Sequence, residues 1–256
     1  MKTPQRGNLI QSSPMDRANY GYDAPYALVM FSVACAAAGV GAVIFLWQGL
    51  PRGAITASIY FLFFLGNATS FWYTTRRGKF IEWERILDRL NLRGDETVLD
   101  LGCGRGAVLV AIAHRLTAGR VTGVDIWSTM DQSGNAQAVT QRNASLEGVA
   151  DRVAIETGDM RALPFPDMSF DLVLSSLAIH NIRWNAERKK AVAEAFRVLR
   201  PGGRIVIADI RATRLYEETL RALGASNIER RSLGWRFWWG NPIARTNLVI
   251  ASKALA

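Results

Sequence analysis

Two long stretches without charged side chains dominate the first third of the chain. Residues 26–47 and 54–73 are largely apolar, and a short break containing Gly, Pro and Arg separates them. Each stretch holds about 20 residues, the length that an α-helix needs to cross the hydrocarbon layer of a bilayer. The pattern predicts a two-helix transmembrane hairpin over residues 25–75. A buried helical hairpin is the alternative, because residues 67–70 place polar side chains in the second stretch.

The flanks of the hairpin predict its orientation. Residues 1–24 are polar and have no apolar period, which is typical of a flexible tail. Only Arg52 lies in the connecting break. The basic residues on the outer flanks are Lys2, Arg6, Arg17, Arg76, Arg77, Lys79 and Arg85. The positive-inside rule therefore predicts an integral membrane protein with both ends on the cytoplasmic side.

From residue 79 onward the spacing of apolar positions is that of an α/β domain. Residues 79–90 have apolar side chains at helical spacing and predict an amphipathic helix. Short apolar runs bounded by turn residues then alternate with helical patterns. The runs that predict strands are residues 98–101, 120–125, 152–156, 170–176, 204–208, 228–231 and 248–251. Because such alternation forms a mostly parallel sheet with helices on both faces, residues 79–256 are predicted to be one α/β domain.

A glycine-rich loop follows the first predicted strand, in the sequence VLDLGCGRG over residues 98–106. A strand, glycine loop and helix together place backbone N–H groups and a positive helix end around one small ligand. Gly102 and Gly104 with Ala107 fit the dinucleotide fingerprint. The same glycines with Asp100 and Gly106 fit a different signature. The loop alone therefore leaves the ligand open.

Acidic residues follow the next two predicted strands. Asp125 ends the second strand, where a carboxylate can accept hydrogen bonds from both ribose hydroxyls of an adenosine ligand. Its alternative role is a helix cap. Asp159 follows the third strand within a Gly-Asp pair and is either a second ligand carboxylate or a turn residue. Trp127 is a candidate to pack on an adenine ring, or a core aromatic.

These features together resemble the class I S-adenosylmethionine (SAM) dependent methyltransferases. The motifs that carry the resemblance are VLDLGCGRG, the strand-end Asp125, Gly158-Asp159, FDLV at 170–173 and LRPGG at 199–203. The resemblance covers residues 79–253 and implies a Rossmann-like, doubly wound, seven-stranded sheet with SAM as the cofactor. The FDLV and LRPGG arrangement looks most like the branch that modifies quinones and small molecules. The whole chain looks like membrane-anchored bacterial methyltransferases, which implies a bacterial inner membrane.

The resemblance also implies which residues bind SAM. In the family's motif the residue that matches Asp159 contacts the adenine amino group. Cys103 is expected to be a small loop residue and not a nucleophile. The expected cofactor-binding residues are Asp100, Gly102, Cys103, Gly104, Gly106, Asp125, Ile126, Trp127, Asp159, Met160 and Ser175.

Methyl transfer needs few catalytic side chains. The sulfonium of SAM carries an activated methyl group, so alignment of the acceptor can supply much of the rate. A base is needed only where the acceptor must lose a proton. His180 is the candidate base, because it follows the fourth strand at the sheet edge where ligands bind in open α/β folds. Its alternative role is a polar residue beneath the cofactor, and His114 is expected to be structural.

Charge and motifs limit the classes of binding partner that the sequence favours. The net charge is +9, with 31 Lys and Arg against 22 Asp and Glu, which suits nucleic acid, anionic lipid or simply a basic surface. Residues 175–178 are SSLA, whereas many enzymes that methylate exocyclic amines of nucleic acids or glutamine have (D/N)PPY there. No added RNA-binding module is recognised, so no nucleic-acid partner is expected. No metal site is expected, and the oligomeric state is open.

The leading hypothesis is a membrane-anchored SAM-dependent methyltransferase acting on a small, lipidic or amphipathic acceptor, such as a quinone-like compound, a lipid or a secondary metabolite. One alternative is a non-catalytic SAM-binding membrane sensor or scaffold. Another is an NAD(P)-dependent oxidoreductase, from the dinucleotide fingerprint. The segment 234–242 holds three tryptophans and a phenylalanine, which could wall the acceptor pocket, touch the bilayer interface or pack in the core.

Overall fold

The two apolar stretches form two long helices that pack side by side. The computed structural model describes residues 18–255; helix α1 is Pro25–Trp47 and helix α2 is Pro51–Tyr73. Each helix begins at a proline, whose fixed φ and missing N–H suit the first helical position. Gly49 turns the chain between them at a φ of 69°. By length and composition both helices could cross a membrane.

The second helix does not end where the apolar stretch ends. A π-helical turn, Thr74–Gly78, carries it directly into helix α3, Lys79–Arg89, so that residues 51–89 form one continuous helical segment. The indole Nε1 of Trp83 in α3 donates to Oγ of Ser176 at 2.8 Å, which fixes α3 over the sheet. The connection is therefore a rigid helix.

The remainder forms the predicted α/β domain. Its strands are β1 (Thr97–Leu101), β2 (Arg120–Asp125), β3 (Val153–Thr157), β4 (Phe170–Ser176), β5 (Leu199–Asp209), β6 (Ser226–Ser232) and β7 (Asn247–Ser252). Its helices after α3 are α4 (Ala107–Ala113), α5 (Gln137–Leu146), α6 (Asn185–Arg197) and α7 (Thr213–Ala222). The strand order is β3-β2-β1-β4-β5-β7-β6, with β7 antiparallel to both of its neighbours. The prediction of a seven-stranded methyltransferase sheet is confirmed.

The central strands hold the sheet together because both of their faces are buried. In β1 and β4 the apolar side chains alternate between two core layers, one on each face of the sheet. This is the arrangement that parallel strands need, since helices cover both faces. Strands β2 and β3 lie on one side of β1, whereas β4 and β5 lie on the other side. The strand order therefore switches between β1 and β4, and a crevice opens at this switch point at the carboxyl ends of the strands.

Two segments differ from the prediction. The segment LRPGG is the first part of β5, where Gly202 N–H donates to the carbonyl of Lys253. Its backbone therefore pairs within the sheet and does more than end a helix. Residues 18–24, the described part of the predicted flexible tail, are fixed by hydrogen bonds to the domain. Residues 1–17 lie outside the described part of the chain.

Candidate active site

One cavity of about 900 Å³ lies at the carboxyl edge of the central strands. Its lining brings together nine of the twelve residues that the sequence nominates: Asp100, Gly102, Cys103, Gly104, Asp125, Ile126, Asp159, Met160 and His180. We call this the central cavity. The other three residues, Gly106, Trp127 and Ser175, lie outside its lining.

The glycine loop adopts a backbone that side chains would block. Gly102 and Gly104 have φ values of 71° and 52°, in the left-handed region that favours glycine. A Cβ on Gly102 would overlap the methyl group of Ala178 after β4. The N–H of Gly104 donates to Oδ2 of Asp125 at 2.8 Å. The loop is thus shaped by β2 and β4, one strand on each side of β1.

Asp100 is the least satisfied polar group in the cavity. It is 1% exposed, and neither carboxylate oxygen has a hydrogen-bond partner among residues 18–255. Burial, followed by the nearby negative charge of Asp125, raises the pKa of Asp100 to about 7. A cationic ligand group would relieve both effects, because it would pair with the buried carboxylate. SAM carries an ammonium and a sulfonium, so the residues present fit this cofactor.

Asp125 is already occupied by protein donors. Its Oδ2 accepts from Gly104, while its Oδ1 accepts from the N–H of Trp127 at 2.6 Å and from Nδ2 of Asn135 at 3.2 Å. A carboxylate has about four acceptor positions, so capacity for one further donor such as a ribose hydroxyl is left. Asp125 therefore also fixes the glycine loop, a role that the sequence did not indicate.

Asp159 is engaged by a neighbouring arginine. Two nitrogens of the Arg161 guanidinium donate to its carboxylate at 2.5 and 2.9 Å, and the third donates to Glu187 at 3.2 Å. The hydrogen bonds from Arg161 hold the pKa of Asp159 below its usual value. Asp159 stays ionised at the cavity edge, where an adenine amino group would have to donate to the same carboxylate as Arg161.

Three nominated residues have structural roles instead. The ring of Trp127 is turned from the cavity, and its Nε1 donates to Oγ1 of Thr157 at 2.8 Å. Ser175 is buried and donates to the carbonyl of Leu101 across the β1–β4 pair. Gly106 begins α4 at a φ of 86°. Trp127, Ser175 and Gly106 therefore lie outside the cavity lining, although the sequence nominates them, and the β4 residue that lines the cavity is Ser176, one position further along.

Burial also raises the pKa of Cys103 well above its usual value. A thiol held in its protonated form is a poor nucleophile. This supports the expected role of Cys103 as a small loop residue.

The chain before α1 covers the glycine loop, which the sequence did not predict. We call residues 19–24 the strap. Its backbone N–H groups donate to the loop at 128–135 and to α5: Tyr22 to Oγ of Ser133 at 2.9 Å, Ala24 to the carbonyl of Asp131 at 2.9 Å, and Asn19 to Oδ1 of Asn143 at 3.0 Å. The strap leads directly into Pro25, so α1 is joined to the lid of the cofactor region.

Two side chains lock the strap in place. Asp23 accepts from Nζ of Lys79 at 2.5 Å, and this ion pair is largely buried. Gln132 accepts from the N–H of Arg105 at 2.8 Å and donates to the carbonyl of Tyr20 at 3.1 Å, which links the glycine loop to the strap. Lys79 therefore pairs inside the protein and is not free to contact lipid headgroups.

His180 lies beside a buried carboxylate at the end of β5. Its Nδ1 is 2.6 Å from Oδ1 of Asp209, although the contact is not aligned as a hydrogen bond. Asp209 is fully buried and its Oδ2 accepts from the N–H of His180 at 3.0 Å and from the hydroxyl of Tyr216 at 3.1 Å. Asp209 fixes the histidine and leaves its Nε2 as the ring nitrogen free to meet a ligand.

The tryptophan-rich segment joins the domain to the hairpin. Trp239 is 8% exposed, lines the cavity and packs edge-on against Phe71 of α2 with 5.1 Å between ring centroids. Trp235 stacks on Tyr73 at 5.4 Å, and Oγ1 of Thr74 donates to the carbonyl of Trp238 at 2.6 Å. The segment is therefore both a cavity wall and a packed contact with α2.

Comparisons with known proteins agree with this geometry. The profile of a family described as a methyltransferase domain matches residues 99–207. The chain is 36% identical over 130 residues to the 27-O-demethylrifamycin SV methyltransferase of Amycolatopsis mediterranei, covering 49% of this chain and 43% of that protein. It is 36% identical over 124 residues to the demethylmenaquinone methyltransferase of Lactiplantibacillus plantarum, covering 48% of each. The chain thus spans less than half the length of these curated relatives.

Solved structures share the fold at low sequence identity. The geranyl diphosphate C-methyltransferase of Streptomyces coelicolor superposes with a TM-score of 0.55 at 18% identity, covering 68% of this chain and 79% of that one. A SAM-dependent methyltransferase of Methanosarcina mazei gives a TM-score of 0.53 at 21% identity, covering 66% and 98%. The glycine loop, the unpartnered Asp100 and the sheet order agree with this match: residues 99–207 match the methyltransferase-domain family, and the sheet has the fold of SAM-dependent methyltransferases.

Proposed function

We propose that this protein is a membrane-anchored methyltransferase that moves the methyl group of SAM to a lipidic or amphipathic acceptor. The observation that carries the proposal is the continuity of the central cavity. It runs from the glycine loop to the first turn of α1 and the last turns of α2, where Tyr26, Ala27 and Phe71 line it. A single space thus joins a SAM-type site to the ends of two helices long enough to span a bilayer.

The two halves of the cavity differ in their place on the sheet. We call the part that follows β1, β2 and β3, with Asp100, Asp125 and Asp159, the cofactor half. The part that follows β4 and β5 and reaches the hairpin, with His180 and Trp239, is the acceptor half. The switch point between β1 and β4 separates them, as it does for ligands of open α/β sheets.

Exposure of the helix surfaces supports membrane insertion. In α1 and α2 large apolar side chains stay exposed on the folded chain, among them Val33, Val43, Ile55, Leu62 and Phe63. A contiguous apolar surface of this kind is rarely left in water. The buried-hairpin alternative would need it covered by the domain, yet only Ala42 is buried in α1. A bilayer supplies that cover.

The orientation follows from charge at the hairpin ends. Arg76 and Arg77 are exposed where α2 meets the domain, and Arg52 lies at the opposite end. Basic residues concentrate on the cytoplasmic side of membrane proteins. We therefore place the domain at the cytoplasmic face of a bacterial inner membrane.

The residues of the acceptor half suit transfer to a group that must lose a proton. SAM supplies an activated methyl cation equivalent when bound. Nε2 of His180 can accept the proton of an acceptor hydroxyl, since Nδ1 faces Asp209. The buried carboxylate then stabilises the imidazolium that forms. The acceptor oxygen that gives its proton to His180 would then be the atom that receives the methyl group. The relatives' names, which include a demethylmenaquinone methyltransferase, support a quinone-like acceptor.

The decisive test uses the full chain in phosphatidylcholine nanodiscs. Calorimetry measures binding of SAM and of S-adenosylhomocysteine, and SAM with a trideuterated methyl group then reports transfer into a bacterial lipid and quinone extract. We expect binding of both cofactors and a labelled apolar product. Failure of the folded protein to bind either cofactor contradicts the proposal. Tight binding without any labelled product favours the sensor or scaffold alternative, and preferential binding of NADH favours an oxidoreductase.

A further inference from the structure

Two arginines line the acceptor half without an acidic partner. Arg183 follows β4 and Arg211 follows β5, so both lie at the same sheet edge as His180. Within residues 18–255 neither guanidinium takes part in a hydrogen bond or ion pair. The guanidinium of Arg183 lies 4.7 Å from the ring centroid of Trp184, which also lines the cavity and is 62% exposed.

The other basic side chains of the central cavity are already neutralised. Their ion pairs are Lys79–Asp23, Arg161–Asp159 and Arg161–Glu187. Glu84, which also lines the cavity, is paired with Arg115. Within residues 18–255, the cavity carboxylates that lack a cation are Asp100 and Asp125 beside the glycine loop and Asp131 on the loop above it. The cavity is therefore polarised, with free negative charge in the cofactor half and free positive charge in the acceptor half.

We propose that Arg183 and Arg211 form an anion subsite, so that the acceptor is an amphipathic molecule with a phosphate or carboxylate group. This inference rests on the proposed function and adds the acceptor's charge to it. The anionic group binds the two arginines, the apolar portion lies along Phe71 and Trp239 toward the bilayer, and the reacting atom lies between them at His180.

The chemistry of guanidinium favours this assignment. A planar guanidinium can donate two parallel hydrogen bonds to a phosphate or carboxylate, which gives direction as well as energy. The ring of Trp184 restricts the Arg183 side chain and lowers the entropy lost on binding. Because the two arginines lie on loops after different strands, an anion bound to both has its position fixed relative to the sheet edge. That position would decide which acceptor atom faces His180.

An anionic lipid headgroup offers the same chemistry as a free acceptor. If the arginines only attach the domain to the membrane surface, they act on bilayer binding and not on the cavity. Dodecyl phosphate and dodecanol form a matched pair of probes that differ in the anionic group. Vesicles of phosphatidylcholine, with or without phosphatidylglycerol, test the headgroup separately.

The experiment uses the full chain in phosphatidylcholine nanodiscs, first saturated with S-adenosylhomocysteine. Tryptophan fluorescence follows titration with each probe, since three of the eight tryptophans, Trp83, Trp184 and Trp239, line the cavity. The variants are Arg183→Gln, Arg211→Gln and the double variant. Arg214→Gln is the matched control, because Arg214 is an exposed arginine on α7 that pairs with Glu218 outside the cavity lining.

We expect wild type to bind dodecyl phosphate about tenfold more tightly than dodecanol, and each arginine variant to lose about three- to tenfold of the phosphate affinity only. Arg214→Gln should bind both probes as wild type does. Equal affinity for the two probes, or equal loss in the control, overturns the subsite. Loss of binding to phosphatidylglycerol vesicles without loss of dodecyl phosphate affinity assigns the arginines to the bilayer and also overturns it. The saturation step separates the two proposals, since failure to bind S-adenosylhomocysteine contradicts the methyltransferase itself.

Discussion

The cofactor half and the acceptor half of the central cavity are built in different ways. The cofactor half comes from one compact unit, in which the loop after β1 is held by Asp125 at the end of the adjacent strand. The acceptor half is assembled from segments far apart in the chain, including α2, the turn after β4 and the segment before β7. Residues of the cofactor half therefore lie close together in the sequence and form a recognisable motif. Residues of the acceptor half are far apart in the sequence and form no motif.

The difference extends to charge. The cofactor half holds the buried and unpartnered carboxylate of Asp100, whereas the acceptor half holds a histidine beside Asp209 and two arginines that have no acidic partner within residues 18–255. Changes made in one half should therefore alter one ligand and leave the other largely unaffected. The following predictions use that separation, from the largest expected effect to the smallest.

His180→Gln should separate catalysis from cofactor binding. Loss of a general base slows the proton-transfer step by about 10²- to 10⁴-fold. We expect kcat for transfer to an extract-derived acceptor to fall by that factor, with SAM affinity by calorimetry unchanged. A variant that retains full kcat would show that the acceptor needs no base, and His180 would then only position it.

Asp100→Asn should act on the cofactor half alone. Replacing a buried carboxylate that pairs with a ligand cation removes a charge-assisted hydrogen bond, which corresponds to about 10- to 150-fold in SAM affinity. Calorimetry measures the change, and Ser175→Ala is the control, since Ser175 bonds Leu101 outside the cavity. Unchanged SAM affinity in the folded Asp100→Asn protein would remove Asp100 from the site.

The raised pKa of Asp100 also predicts a pH dependence. Below about pH 7 the ligand-free protein holds this carboxyl protonated, and a cationic ligand must displace the proton. We expect SAM affinity to fall by up to about tenfold for each pH unit below 7, and to level off above it. Calorimetry in buffers of different ionisation enthalpy should show proton release on binding. Asp100→Asn should abolish that release; release that persists in this variant would assign it to another group.

The raised pKa of Asp100 also affects folding stability, which should fall as pH rises, whereas SAM affinity should increase. Because the folded-state pKa lies above the usual value of 3.8, the folded ligand-free protein binds the proton more tightly than the unfolded chain does. Its stability should therefore fall as pH rises from about 4 to 7. Denaturant unfolding of the Asp100→Asn protein should lack this contribution.

Asp23→Asn should have the smallest effect and should test whether the strap belongs to the cofactor half. Loss of the ion pair with Lys79 loosens a cover that also depends on several backbone hydrogen bonds. We expect only a few-fold faster release of S-adenosylhomocysteine in stopped-flow measurements, because the backbone hydrogen bonds of the strap to Ser133 and Asp131 remain. Identical release rates would show that the cofactor leaves by a path that the strap does not cover.

The packing between hairpin and domain changes what a shortened chain would show. Removal of residues 1–78 takes away the strap and Phe71, which packs against Trp239 in the same buried cluster as the central strands. Residues 79–256 alone would expose that cluster. Loss of SAM binding in such a chain would therefore reflect the missing cover, and a membrane role is better tested in the full protein.

The sequence alone determined the order of elements, the α/β domain and the SAM-type loop. These follow from local properties: apolar period sets each helix or strand, and Gly102 and Gly104 are needed where the backbone φ is positive. The carboxylates Asp100, Asp125 and Asp159 could be nominated because each lies at or just after the carboxyl end of a strand, and these strand ends meet at the same sheet edge.

Only the tertiary structure decided which side chains complete the site. The pairing of β4 with β5 brings Asp209 beside His180, so this partner could be recognised only in the structure. The strap likewise could be recognised only from its backbone hydrogen bonds to the loop at 128–135. Ser175 and Ser176 are adjacent in sequence, but successive side chains of a strand point to opposite faces. Ser175 therefore bonds to the carbonyl of Leu101, whereas Ser176 lines the cavity. Local pattern fixes where a chain bends and what it buries, whereas contacts between distant segments depend on packing that no single segment encodes.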